Sequence, residues 1–252
     1  MDYIDEGHDV SMRYPQENWR RKLIVQGDAL VKRRLLSWVD DTPVRRILDI
    51  GAGNAVFSLE VAKKTSSSEL HVLDAVDFSH EWTQLQEATS IAIKGIVHDL
   101  DNPLPYPDDM FDIVLSNQVV EHLYDPIGHL REIKRVLHPT GYAMVGTCNL
   151  SSIQYRLELL FGRTPTTLGV GLYKYMPNIM RETPHVTKFA RHISCLTFRD
   201  FRKLLRAEGY RISGARTSVI YILPAFAERF ITRFLPLGNY MTFKVVDDSS
   251  SR

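Results

Sequence analysis

The stretch 45-RRILDIGAGNAVFSLEVAKK-64 decides how the rest of the chain is read. Ile47, Leu48 and Ile50 form a short apolar run, glycines follow at positions 51 and 53, and a helix-like pattern runs from Val56 to Lys64. A strand that ends in closely spaced glycines and passes into a helix is where an open α/β sheet holds a ligand. Glycine permits unusual dihedrals and lets backbone N–H groups approach the ligand closely. The helix that follows presents its positive end to the same place. Two familiar ligands fit this turn badly. A dinucleotide turn needs a small residue three positions after Gly53, where this chain has the β-branched Val56. A phosphate loop needs a lysine and a hydroxyl residue after its glycines, and none follows. Asp49, two residues before Gly51, is a poor neighbour for phosphate and a reasonable one for a cationic amino-acid end.

Outward from the turn, strands and helices alternate. "ELHVLDAVDFS" (69–79), "KGIVHDL" (94–100), "DIVLSNQ" (112–118) and "GYAMVGTC" (141–148) read as strands. "HEWTQLQEATSIA" (80–92) reads as a helix or helical loop and "PIGHLREIKRVLH" (126–138) as a strongly amphipathic helix. The alternation implies right-handed crossovers and a doubly wound, mostly parallel α/β sheet. It breaks at Asn149. The span to His192 holds a helical piece (151–161) and a Gly/Pro-rich run (162–178), too long for an ordinary loop and suited to a lid or binding segment. Regularity returns at "TFRDFRKLLRAEGY" (197–210), with Thr197 as N-cap and Gly209 as stop, followed by closing strands in "RISGARTSVIY" and "NYMTFKVV". The expected organisation is an N-terminal helical arm (1–43), a cofactor-binding core (44–149), a lid insertion (150–196), the C-terminal part of the core sheet (197–247) and a tail (248–252).

A formal net charge of +1 over 252 residues advertises no nucleic-acid partner. The acidic start lacks the continuous apolar core of a secretory signal, and no apolar run approaches the roughly 20 residues of a membrane span. Cys148 and Cys195 have no metal-type spacing and read as buried or partly buried thiols of a reducing compartment, so a soluble cytoplasmic protein is expected. "YILPAFAERFITRFLPLG" puts Phe226, Phe230, Ile231, Phe234 and Leu235 on one helix face. Such a stripe suits a core, and if exposed it would dock the 225–235 segment on a membrane or a lipid-linked acceptor.

Four motifs in order resemble those of the class I S-adenosyl-L-methionine (SAM)-dependent methyltransferases. "LDIGAGNA" resembles the cofactor loop acid-x-Gly-x-Gly-x-Gly, with Ala55 in place of the last glycine. "VDFS", "VHDL" and "LPYPDDMFDIVLSNQVVEHLYDP" resemble the ends of the second, third and fourth strands, the last in the branch marked by "FD…EHL.DP". "EIKRVLHPTGYAMVGTCN" resembles the helix and strand that follow. The resemblance implies a Rossmann-like, seven-stranded mixed sheet with an inserted lid, and SAM as cofactor. It implies a loop of Asp49, Gly51, Ala52 and Gly53, and Asp77 on the ribose with Phe78 beside it. Asp74 is a second candidate, because "VLDAVD" offers two acids. Asp99 would hold the adenine amino group, Leu100 would add a backbone contact, and Asn117 and Gln118 would line the methionine side.

Glu121 and His122 follow the fourth strand and are the candidates for a general base. The bland alternative has Glu121 capping the next helix and His122 holding the lid. Nothing in the spacing joins this pair to His185 and His192, so no metal is expected. Tyr155, Arg156, Tyr173, His185, Arg191 and His192 mix stacking faces and cations, which suits a sugar, a carboxylated metabolite or a lipid headgroup. "ARHISCLTFRDFRKLL" resembles an element of relatives linked to glycan modification; His192 and Thr197 match it, while Ser194 stands where arginine is usual. The expected function is methyl transfer to a small-molecule, glycan or lipid-linked acceptor at oxygen. An inert methyltransferase-like module is the alternative, and an NAD-dependent oxidoreductase is disfavoured by Val56.

Overall fold

The computed structural model describes residues 31–33, 35–169, 192–218 and 235–248. In chain order the elements are β1 (Arg46–Ile50), α1 (Val56–Lys64), β2 (Glu69–Asp74), α2 (Ser79–Glu87), β3 (Ala92–Val97), β4 (Phe111–Asn117), a 3₁₀ turn (Val120–His122), α3 (Pro126–Val136), β5 (Leu137–Cys148), α4 (Ile153–Leu160), α5 (Thr166–Gly169), α6 (Phe198–Ala207), β6 (Tyr210–Ser218) and β7 (Tyr240–Asp247). The strands form one sheet in the order β3-β2-β1-β4-β5-β7-β6. The first five run parallel, and β7 is antiparallel to both β5 and β6. This is the seven-stranded mixed sheet the motifs imply, with its order reversing between β1 and β4, where open α/β sheets bind ligands.

The central strands are apolar on both faces because helices cover both faces. Alternation along β1 sends Leu48 and Ile50 to one side and Ile47 to the other. Leu48 and Ile50 pack with Leu130, Ile133 and Val136 of α3, Phe201 and Leu205 of α6, and Phe243 of β7. Ile47 packs with Phe57, Leu59 and Val61 of α1 and with Val31, Leu35 and Val39, the described end of the N-terminal segment. The same alternation puts Asp49 on the α1 side, in a largely apolar wall.

Helix ends follow their caps. Asp125 accepts the Gly128 N–H at the start of α3, with Pro126 in the first turn. Thr197 accepts the Asp200 N–H at the start of α6, and Gly209, at φ +78°, stands just past its end. Three strands differ from expectation. β2 stops at Asp74 instead of continuing through "AVDFS", because the Asp74 carboxylate accepts the Val76 N–H and folds the chain into a turn. Asp77 repeats the device on Ser79 and so opens α2. β3 ends at Val97, and β5 begins four residues before "GYAMVGTC", with a bulge opposite Phe111–Ile113.

The segment 192–197 is strapped across the carboxyl edge of the sheet. Ile193 and Ser194 donate their N–H groups to the Glu121 carbonyl, the Ser194 hydroxyl donates to the Leu123 carbonyl, and Leu150 N–H donates to Leu196. Asn149 completes the joint: its Oδ1 accepts from Ser151 and Phe198, while its Nδ2 donates to the carbonyls of Pro236 and Gly238. Tyr173, His185, Arg191 and most of the 225–235 stripe lie outside the described residues; Leu235 is exposed. No helix among the described residues is long and apolar enough to cross a membrane.

Candidate functional site

The cofactor turn is built from glycines whose backbone no other residue adopts without strain. Gly51 has φ +72° and Gly53 φ +53°, and the Gly51 and Ala52 N–H groups donate to the Leu73 carbonyl at the end of β2. A methyl group on Gly51 would lie 2.4 Å from Val119 Cγ2, whereas one on Gly53 would meet no atom within 4 Å. Gly53 therefore borders open space at the switch point. Ala55, where the family pattern has a third glycine, has φ 59°, so the position keeps the left-handed conformation and alanine carries the strain.

Two carboxylates flank the turn. Asp74, at the end of β2, accepts the Gly53 N–H at 2.9 Å. Asp49 is buried, and burial pushes its pKa up to about 7; the Ser58 hydroxyl opposes the shift, the Asp74 charge adds to it, and Lys32 opposes it. An acid so raised, beside a second acid and open space, is a site that a cation completes. Asp77 stands three residues beyond β2, exposed, with Ser79 on its carboxylate. The resemblance implies Asp77 first and Asp74 second for the ribose; of the two, Asp74 ends β2, because the chain bends over 75–78.

The turn is braced from outside. The Trp82 indole N–H donates to the Gly53 carbonyl at 2.7 Å, and Phe78 lies beside that indole. The indole lies over β3 because residue 95 has no side chain: a methyl there would stand 2.1 Å from Trp82 Cε3. Gly95→Ala is expected to displace the indole and weaken cofactor binding. Trp82→Phe, which removes only the N–H among polar groups, should cost about 1 kcal/mol, roughly fivefold in affinity. Calorimetry with S-adenosylhomocysteine checks both; unchanged affinity in Gly95→Ala would show that the brace carries no load.

After β3, Asp99 accepts the Asp101 N–H, and Leu100 reaches within 4.0 Å of where a Gly51 side chain would start. After β4, Gln118 takes φ 61° while its N–H donates to the Gly146 carbonyl. Asn117 Oδ1 and Gln118 Nε2 are buried with no hydrogen-bond partner, so the strand end offers one acceptor and one donor to a ligand. Gly51, Gly53, Asp74 and Leu100 thus lie at the switch point with Asn117 and Gln118 at the adjoining end of β4, and the glycines, the acids and the unpartnered Asn117 Oδ1 and Gln118 Nε2 fit SAM.

Beyond this lies a second group of side chains. Glu121 is fully buried; Thr147 donates to its Oε2 at 2.7 Å, Oε1 has no partner, and burial raises its pKa. His122 packs edge-on against His192, ring centroids 4.8 Å apart. The Thr167 hydroxyl lies 2.9 Å from His192 Nδ1, and the sulfurs of Cys148 and Cys195 stand 3.5 Å apart. The Cys148 thiol, donating to Cys195, holds the Cys195 sulfur below the ordinary thiol range. Glu121, His122 and His192 therefore do come together, contrary to the expectation from spacing. No signal in the sequence could have joined residues separated by the whole insertion. Of the described substrate candidates, Tyr155 is buried and Arg156 donates to the Ser151 carbonyl just before its own helix; His192 alone stands beside the turn after β4.

A seven-stranded sheet of this order, with a glycine turn and strand-end acids at its switch point, defines a nucleoside-cofactor enzyme of the methyltransferase type. Residues 48–145 match a family model described as a methyltransferase domain. The chain is 28% identical over 207 residues to the ubiquinone/menaquinone biosynthesis C-methyltransferase of Geobacter sulfurreducens, covering 76% of this chain and 78% of that one. It is 31% identical over 119 residues to the malonyl-[acyl-carrier protein] O-methyltransferase of Halorhodospira halophila, covering 46% of this chain and 40% of that one, well under half of the relative. Among solved structures, the complex of a methyltransferase with the Trm112 activator of Haloferax volcanii matches in fold, with a TM-score of 0.60 at 16% identity over 90% of this chain and 94% of that one. The sheet has the order of the class I fold, and the matched domain and the relatives support a SAM-dependent methyltransferase. Its cofactor is S-adenosyl-L-methionine.

Proposed function

We propose that the chain methylates an oxygen atom of a small-molecule acceptor held between the turn after β4 and the 192–197 strap. SAM supplies the electrophilic methyl group, so the chain's task is alignment and exclusion of water. Asp49 faces the cationic amino-acid end, the glycine turn of residues 51–53 lets the ligand approach its backbone closely, the polar ends of Asn117 and Gln118 hold the methionine part, Asp74 takes the ribose hydroxyls, and Asp99 with Leu100 holds the adenine. The described parts of the 150–196 insertion, α4, α5 and the strap, belong to a lid over the acceptor.

The observation that carries the acceptor reading is the difference between the two members of the Glu-His pair. Glu121 is shut in, whereas His122 is partly exposed at the carboxyl edge of the sheet and can accept the hydrogen bond of an acceptor hydroxyl. Ser194, standing where glycan-modifying relatives have arginine, commits its hydroxyl to the Leu123 carbonyl and offers no charge. That favours a small acceptor over a charged glycan, in keeping with relatives named for quinone and malonyl-carrier methylation. The test is transfer of labelled methyl from SAM into paired acceptors that do or do not carry a free hydroxyl. Label on oxygen supports the reading, and label on carbon with the hydroxyl untouched overturns it. His122→Ala should lower kcat about 100-fold while S-adenosylhomocysteine affinity stays within twofold, and Asp99→Ala should lose that affinity.

A further inference from the structure

Cys148 ends β5, His192 and Cys195 lie on the strap, and Glu121 lies in the 3₁₀ turn after β4. Their meeting point is where the strap crosses the sheet edge. One ligand atom each from Cys148, His192 and Cys195 lie within 4.8 Å of one another, and so do one each from Glu121, His122 and His192. His192 is common to both sets. We propose that this cluster is a zinc-class metal site, with Cys148, Cys195 and His192 as ligands and the Glu121 carboxyl, which shares His192 in the second set, beside it.

The geometry and the chemistry agree. Two thiolates on one tetrahedral zinc, each about 2.3 Å from the ion, stand about 3.8 Å apart; the two sulfurs are 3.5 Å apart. Two sulfurs and an imidazole are a soft set that selects zinc over magnesium or calcium. The site is also built beyond its ligands. Glu121 has no exposed surface, and its Oε1 lacks any hydrogen-bond partner, which is costly for a buried carboxyl oxygen unless something occupies it. Its other oxygen is fixed by Thr147, and the Thr167 hydroxyl fixes the His192 ring, the outer contacts that orient metal ligands. The three ligands come from β5 and from the strap, so the ion acts as a clasp. It would pin the strap to β5, beside the turn carrying His122, and thereby fix the acceptor wall. The inference does not depend on the identity of the acceptor.

The test uses the full chain, stripped of metal, kept reduced with a phosphine, and titrated with Zn²⁺ against a chromophoric chelator. One equivalent should bind, and Co²⁺ in its place should give thiolate charge-transfer absorption. Cys195→Ser and His192→Ala should each lower Zn²⁺ affinity at least 100-fold, and Glu121→Gln about tenfold with the cobalt–thiolate band retained. Cys148 is buried, so these three variants decide the matter even if Cys148→Ser does not fold. Cys195→Ser should still bind S-adenosylhomocysteine, which separates a failure here from a failure of the cofactor site. A reduced wild-type chain that binds no zinc overturns the proposal, whether or not its two thiols oxidise to one another in air. So does wild-type affinity in both Cys195→Ser and His192→Ala.

Discussion

Gly51→Ala is expected to lower affinity for SAM and S-adenosylhomocysteine at least 100-fold and to destabilise the free chain as well. Two separate costs meet at this residue. At φ +72° any L side chain is strained, by about 1–2 kcal/mol for alanine. The new methyl would also stand 2.4 Å from Val119 Cγ2, a side chain packed at the end of β4 with no room to retreat. The turn can relieve both only by moving, which breaks its hydrogen bonds to the Leu73 carbonyl and the Asp74 carboxylate and shifts the backbone that borders the ligand. Gly53→Ala is the informative contrast. Its methyl would meet no protein atom within 4 Å, so only the conformational cost falls on the free chain, while the methyl occupies ligand space. Thermal unfolding should therefore rank Gly51→Ala below Gly53→Ala, and calorimetry should find both poor binders. Adding Val119→Ala to Gly51→Ala removes the clash and leaves the dihedral cost, so it should restore part of the stability and little of the binding. Binding by Gly51→Ala within threefold of wild type would refute the assignment of this turn.

The parts of the fold that local chemistry specifies were legible in the sequence. The β1–glycine–α1 unit carries its apolar run and its turn glycines, the amphipathic α3 its period and the Asp125 cap, and the Thr197-to-Gly209 span both cap and stop, all of them local features. Where the structure departs, the cause is a contact that sequence spacing does not encode. β2 stops at Asp74 because its carboxylate turns back on Val76 and reaches Gly53, and a strand pattern in "VLDAVD" cannot say which acid will do so. The same holds more strongly for the thiol cluster. Cys148 and Cys195 meet because Asn149 and the Glu121 carbonyl strap two distant segments together, and hydrogen bonds of that kind leave no periodicity. Nothing in "KGIVHDL" singles out Gly95, whose role depends on the Trp82 ring that lies on it.

Affinity for SAM is expected to rise with pH, by about tenfold between pH 5.5 and pH 7, and Asp49→Asn should abolish most of that rise. Asp49 carries a pKa of about 7 in the free chain because burial disfavours its charge; Asp74 on β2 adds to the shift, while Ser58 on α1 and Lys32 in the N-terminal segment oppose it. A cationic ammonium placed against it favours the ionised form, so binding must expel the proton whenever the pH lies below about 7. Below that value each pH unit weakens binding by up to about tenfold, and above it the dependence from Asp49 ends. The ligand's own α-amino group, with an ordinary pKa near 7.7, sets the upper limit of the useful window. Stability of the free chain should move in the opposite direction. A carboxyl whose folded pKa is raised above its unfolded value binds its proton more tightly when folded, so its contribution is fully present below about pH 4. That contribution is lost as pH rises to about 7, and the two pKa values put it at about 4 kcal/mol. Asp49→Asn should thus be more stable than wild type at pH 8 and bind SAM more weakly there, the exchange expected of a residue kept for its ligand and not for the fold. Proton release measured by calorimetry in buffers of different ionisation enthalpy checks the linkage directly; equal heats in all buffers at pH 6 would remove Asp49 from the cofactor's cationic end.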